Sequence, residues 1–202
     1  MKETKMWNRR DARLLLGALC LALGLAFLPA QATARHSAWK AYMADGAQAY
    51  RQGDYAEAEK QLTAALEKAE KFALKDLRLA ASLNNLAELY WTQGRYAEAE
   101  PLFKRALESG EGAMGPEHPA RAMTLNNLAE LYRVQGRHAE AEPLYRRALA
   151  IREKALGPDH PDVATSLVNY AALLRETGRG AEAEKLEARA EAIKAKHGEE
   201  NP

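Results

Sequence analysis

Three asparagines recur at one place in a repeating frame. Asn85, Asn127 and Asn169 each stand nine residues before a glycine (Gly94, Gly136 and Gly178), and Asn84 and Asn126 precede two of them. A primary amide both donates and accepts, which matches a peptide bond whatever side chain that bond carries. Asn also costs on the order of several tenths of a kcal/mol against Ala inside a helix, so its recurrence needs a reason. Either the amides grip a ligand, or they bond neighbouring repeats to each other. Residues three, six and seven positions along lie near that row, as i+3/i+4 and i+7 neighbours of the paired asparagines. They are Glu88, Trp91 and Thr92, then Glu130, Arg133 and Val134, then Ala172, Arg175 and Glu176. Arg133 and Arg175 can hold a carboxylate through two parallel N–H donors, or stand as solvated charges. Trp91 can anchor an apolar group or pack beside Tyr90.

Catalytic chemistry finds no support. Gly-x-Ser-x-Gly and His-Glu-x-x-His are both absent, as is a Gly-x-x-x-x-Gly-Lys phosphate loop. His118 and His160 occupy equal places in successive linkers, GPEHP and GPDHP, each before a proline. They would lie about 10 Å apart, one helix packing distance, which is too far to share a metal ion. They read as turn residues that cap or pack. The abundant Glu residues read as solvated, and Glu98 and Glu100, two apart, diverge on a helix. No metal or cofactor is implied. Lys+Arg 29 against Asp+Glu 28 gives a net charge of +1, so no global field draws the chain to nucleic acid.

The N-terminus is organised differently. Lys2, Lys5, Arg9, Arg10 and Arg13 precede an uncharged run, Leu14–Leu28, which Pro29 and the small residues Ala30-Gln31-Ala32-Thr33-Ala34 follow. A basic start, an apolar core and an A-x-A site describe a secretory signal peptide over residues 1–34, cleaved near Thr33 or Arg35. The alternative is a retained membrane anchor, for which the run is shorter than the roughly 20 apolar residues that span a bilayer. Cys20, the single cysteine, sits within the run, so the remainder of the chain is thiol-free and carries a net charge of −2. The protein is expected to be exported, to the periplasm or held at the inner membrane.

The residues that carry the asparagines must be positioned by helices. QGDYAEAE, QGRYAEAE, QGRHAEAE and TGRGAEAE recur at steps of 41, 42 and 42 residues, and LNNLAELY occurs twice, at Leu83–Tyr90 and Leu125–Tyr132. Leu83, Leu86, Ala87 and Tyr90 follow the i, i+3, i+4, i+7 pattern of one helix face, which Leu125, Leu128, Ala129 and Tyr132 repeat. Leu167, Tyr170, Ala171 and Leu174 repeat it again. The glycine ends this helix, and a second begins at AEAE, with Ala99, Phe103 and Ala106 matched by Ala141, Tyr145 and Ala148. Pro101 and Pro143 predict a slight kink or a later helix start. Small residues let the helices approach to about 8 Å, and each hairpin leaves an apolar face that only stacking covers.

The pattern Leu83-x₂-Leu86-Ala87-x₂-Tyr90 with Ala99-x₃-Phe103 resembles the tetratricopeptide repeat family, in the longer variety found in kinesin light chains. The resemblance runs from about Trp39 to His197 and implies an all-α superhelical solenoid over residues 35–202. Its repeats are expected at about 39–79, 80–121, 122–163 and 164–197. Asp45 and Ala49 in the first unit, and Glu187 and Glu191 in the last, depart from the pattern as terminal caps do. In this family the first helices line a concave groove, and Asn at the matching position commonly holds the backbone or terminal carboxylate of a bound peptide. The resemblance therefore implies a non-catalytic module that binds a protein or peptide partner through Asn84, Asn85, Glu88, Trp91, Asn126, Asn127, Glu130, Arg133, Asn169 and Arg175. Nucleic acid is not an expected partner, and a membrane is one only if the leader is retained.

Overall fold

The computed structural model describes residues 33–72, 76–115 and 117–199, so most of the expected leader lies outside the described residues. Helix α1 covers 33–52, and seven more follow: α2 (Tyr55–Ala69), α3 (Leu77–Thr92), α4 (Tyr96–Met114), α5 (Pro119–Val134), α6 (His138–Leu156), α7 (Pro161–Glu176) and α8 (Gly180–Glu199). No strand occurs among the described residues. Consecutive helices pair as hairpins, and each hairpin packs on the next, which is the all-α solenoid expected from the repeats.

The turns show why the breaks fall where they do. Gly94, Gly136 and Gly178 adopt φ of 73, 72 and 76°, the left-handed region that an L side chain resists. The next N–H, of Arg95, Arg137 or Arg179, then reaches back to the carbonyl of Tyr90, Tyr132 or Leu174 at 2.8 Å, closing a Schellman-type cap. The longer linkers end differently. His118 Nδ1 accepts the Ala120 N–H at 3.2 Å and His160 Nδ1 accepts that of Asp162 at 3.1 Å, each with proline opening the helix. The linker histidines are therefore helix caps. Pro101 and Pro143 stand inside α4 and α6, which begin at Tyr96 and His138, so the later helix start does not occur. The carbonyls that lose their i+4 N–H belong to Ala97 and Ala139, both on exposed residues of the first turn.

Close approach depends on small side chains. Ala87, Ala129 and Ala171 on first helices, and Ala58, Ala99, Ala141 and Ala183 on second helices, are fully buried. Gly46 holds the equivalent place in α1, where a Cβ would sit 2.9 Å from Leu62. Leu83, Leu89, Phe103, Leu125, Leu131, Tyr145, Leu167 and Leu173 fill the space between. At the first unit Ala49 is buried beside Leu62, Leu86 and Leu89, while Asp45 is exposed, as a capping repeat requires.

The glutamates correct the expectation of a solvated acidic face. At three junctions an Arg spans two carboxylates. Arg95 bonds Glu59 at 2.6 Å and Glu98 at 2.8 Å. Arg137 bonds Glu100 and Glu140, both at 2.7 Å, and Arg179 bonds Glu142 and Glu182, both at 2.7 Å. Tyr90, Tyr132 and Tyr170 donate their hydroxyls to Glu59, Glu100 and Glu142. The Arg137 guanidinium, aided by Lys104 and Tyr132, outweighs burial and holds the Glu100 carboxyl down at about 2. The first unit has Asp54 where the others have this Arg, and Asp54 instead caps α2 by accepting the Glu57 N–H at 3.1 Å.

Candidate functional site

The first helix of each hairpin builds one side of the stack. Helix α5 touches both α3 and α7 directly, whereas no comparable contact joins α4 to α6 or α6 to α8 among the described residues. The first helices thus crowd together, the second helices splay, and the stack bends with α1, α3, α5 and α7 inside. On that inner side a cavity of about 250 Å³ is lined by Glu88, Trp91, Phe103, Asn126, Asn127, Glu130 and Asn169. Six of the ten residues expected from the sequence meet there, contributed by three successive first helices. Asn85 lines an adjoining cavity of about 280 Å³ with Tyr50, Arg51 and Glu88.

The remaining expected residues are placed differently. Asn84 is buried with neither its amide N–H nor its oxygen paired, facing a smaller, largely apolar cavity of about 150 Å³ between α3 and α5. Arg175 holds Glu187 through Nε at 2.7 Å and Nη2 at 2.5 Å, so its fork is filled from within the fold. Arg133 likewise bonds Glu130, through Nε at 2.9 Å and Nη2 at 2.5 Å, and also reaches Glu176 of α7. Among the asparagines, Asn169 donates to Asn126 across the α5–α7 boundary at 3.3 Å. A stitching bond between repeats thus exists for that pair, while Asn85 and Asn127 have no such bond among the described residues.

Electrostatics divides the two carboxylates at the cavity. Burial pushes the Glu130 carboxyl up, but the Arg133 guanidinium and the Tyr145 hydroxyl, which donates at 2.5 Å, outweigh it and hold it below its ordinary range. The Tyr145 hydroxyl is in turn raised, by burial and then by that carboxylate. Glu88 occupies the same position one repeat earlier, and there burial acts alone and raises its carboxyl. Where the third repeat has Arg133 and Tyr145, the second has Trp91 and Phe103. The Trp91 indole N–H is itself buried without an acceptor.

Tyr145, Phe103 and Glu187 were not among the residues expected at the site, while Glu176, on the expected helix face, serves there as a partner of Arg133. The 42-residue step carried the signal for the first two, since it aligns Phe103 with Tyr145 as surely as it aligns Glu88 with Glu130. Chemically, the arrangement offers amides for a peptide backbone, one paired carboxylate, and one carboxylate without a partner. Among the described residues no group of three or more His, Cys, Asp and Glu side chains could hold a metal ion.

Comparison with known proteins agrees with this architecture. A family model described as tetratricopeptide repeat matches residues 46–111, 78–154 and 120–196. No curated protein matches the chain. Among solved structures, BtubC (BKLC) from P. vanneervenii is similar at 27% identity and a TM-score of 0.72, covering 81% of this chain. This chain spans 66% of that protein's length. A Podosopora anserina chain described as a kinesin light chain with nearly identical TPR-like repeats is 26% identical, with a TM-score of 0.63, covering 79% of this chain and 76% of that one. Aspartyl phosphate phosphatase F from Bacillus subtilis, at 18% identity and a TM-score of 0.71, covers 81% of this chain and 42% of that one and shares the fold alone.

Proposed function

The chain belongs to the tetratricopeptide repeat family, and from that premise we propose that it is a non-catalytic protein–protein interaction module of the bacterial cell envelope. It takes an extended or helical segment of a partner protein along the inner face of the solenoid, a groove-recognition mode. The observation that carries this reading is the convergence of Glu88, Trp91, Asn126, Asn127, Glu130 and Asn169, from three successive first helices, on one cavity. Side chains that serve only the stack do not need to line an open space with amides and carboxylates. The envelope location rests on the charge pattern of residues 1–34.

The test is capture from envelope extract with the full chain, repeated with Asn85→Ala and Asn127→Ala. A specific partner whose binding weakens in both variants, with unchanged melting, supports groove recognition. A partner held equally well by both variants moves recognition to another surface. A second reading follows from the uncharged run Leu14–Leu28, in which it persists as an anchor and the repeats dock on a membrane assembly. Mass spectrometry separates the two: a start near Arg35 in soluble extract fits the exported module, and an intact Met1 in membranes fits the tether. Among the described residues no helix is long and apolar enough to cross a membrane.

A further inference from the structure

The second and third repeats share LNNLAELY, and therefore present Glu88 and Glu130 from the same helix position against the same frame. The fold supplies Glu130 with a guanidinium and a phenol. It supplies Glu88 with neither, since the equivalent residues are Trp91 and Phe103, and no side chain bonds or ion-pairs with the Glu88 carboxylate among the described residues. Arg51 of α1, which borders the adjoining cavity, is exposed and forms no ion pair with it. A half-buried carboxylate without a partner is destabilising, because its lost hydration is not replaced. Trp91 adds a second unfavourable feature, a buried N–H without an acceptor that a phenylalanine would not have. The Trp91 ring packs against the core beside Tyr90, but neither the Glu88 charge nor the Trp91 N–H is explained by the stability of the stack. Both line the same cavity, whose volume of about 250 Å³ far exceeds the roughly 10–15 Å³ one water needs.

We propose that this cavity is an arginine-accepting subsite: an arginine side chain of the partner segment enters it, pairs its guanidinium with Glu88 and packs it against the Trp91 indole. The incoming group restores in the second repeat what Arg133 provides in the third. Arginine is the fitting cation because its planar fork meets a carboxylate with two parallel donors and stacks on an indole, which the compact lysine ammonium does not reproduce. Charge complementarity sets the choice, since the carboxylate left without a partner calls for a cation. The amides of Asn126, Asn127 and Asn169 on the same wall can hold the segment's backbone beside it. This inference rests on the groove reading above and adds to it the chemical class of the occupant.

The experiment is selection of a display library of random short peptides on the full chain and on Glu88→Gln, followed by titration of the best peptide. Peptides with a required arginine on the wild type, and loss of that preference on Glu88→Gln, are the expected result. In titration the Glu88→Gln variant binds the arginine peptide about tenfold or more weakly, the size of a lost charge-assisted contact. A citrulline version, neutral but of the same shape, binds both proteins equally. The variant itself melts at the same temperature or higher, since it removes an unpaired charge.

Groove-bound peptides without an arginine preference, or with lysine accepted equally, overturn the subsite and leave the groove reading standing. If no selected peptide is sensitive to Asn127→Ala, the groove reading fails and the subsite with it. A clear fall in the melting temperature of Glu88→Gln assigns the carboxylate to an internal partner and also overturns the proposal.

Discussion

The second and third repeats are built on one backbone plan and do opposite things with the same carboxylate. In the third, Glu130 and Arg133 are only 23% and 19% exposed, and Tyr145 completes the set, so a half-buried charge is fully answered within the fold. In the second, two substitutions, Trp91 for Arg and Phe103 for Tyr, leave Glu88 unanswered in an open cavity. Repetition holds at the positions that set helix distance, where Ala87 matches Ala129 and Ala99 matches Ala141, all fully buried. It holds too for the asparagines and glutamates of the cavity wall, and lapses beside them at Trp91 against Arg133 and Phe103 against Tyr145. In a solenoid the stacking contacts are shared by every unit, whereas each unit's inner surface is free to differ, so the shared amides set a common backbone grip and the departures set what differs between units.

The comparison breaks first if the two frames are not equivalent. Ala87→Leu and Ala129→Leu each push a bulky group into a fully buried helix contact, and each is expected to lose about 1–3 kcal/mol or more. Thermal melts with unequal losses, or none, mean that the two hairpins do not pack alike.

A smaller effect separates the sites themselves. Tyr145→Phe removes the hydroxyl from the Glu130 carboxylate and should destabilise by about 1.5–3 kcal/mol, the range for a bond to a charged group. The converse change, Phe103→Tyr, gives Glu88 a donor and should raise the melting temperature. Denaturant titration of both variants checks this, and changes of the same sign would erase the contrast.

Acid provides a third measure, this time of the junctions. Arg95, Arg137 and Arg179 hold Glu59, Glu100 and Glu142 below the ordinary carboxylate value of 4.5, with Glu100 down at about 2. The folded chain therefore binds fewer protons than the unfolded chain in that window. The stability these groups contribute is fully present above about pH 4.5 and is lost as the pH falls toward 2. Glu88, raised by burial, has the opposite sign and works against folding once it ionises. Melting temperature against pH should fall steeply below the ordinary carboxylate range, and less steeply in Arg137→Met. Parallel curves would show that the junction carboxylates are not linked to folding.

The smallest difference concerns the asparagines. Asn169→Ala breaks the bond to Asn126 and is expected to lower stability by about 1 kcal/mol, while Asn85→Ala leaves it unchanged or slightly raised, Ala being the better helix former. Melts and partner titrations on both variants check it. A fall in melting with unchanged affinity at both positions would make the whole row a structural stitch.

The eight helices, their pairing and their turn glycines could be read directly from the chain, because apolar spacing, Gly and Pro act through local geometry. The same periodicity located most of the cavity wall. Arg175 and Arg133 show where such reading stops. Each was visible as a fork able to hold a carboxylate, yet the carboxylates are Glu187, twelve residues on, and Glu130 with Glu176, the latter 43 residues away. Asn84 and Asn85 are neighbours in sequence that face different cavities, since adjacent residues on a helix point about 100° apart.

The sequence by itself thus determined the helices, the repeat and the face each side chain occupies, for these follow from torsional preference and burial pattern along one chain. Only the tertiary structure decided which charges are answered. Arg133 and Arg175 are filled from within, the Arg–Glu–Tyr sets join successive units, and Glu88 is left without a partner among the described residues. Ion pairing and desolvation depend on distances of a few ångströms between groups far apart in the chain, and those distances exist only once the repeats have stacked.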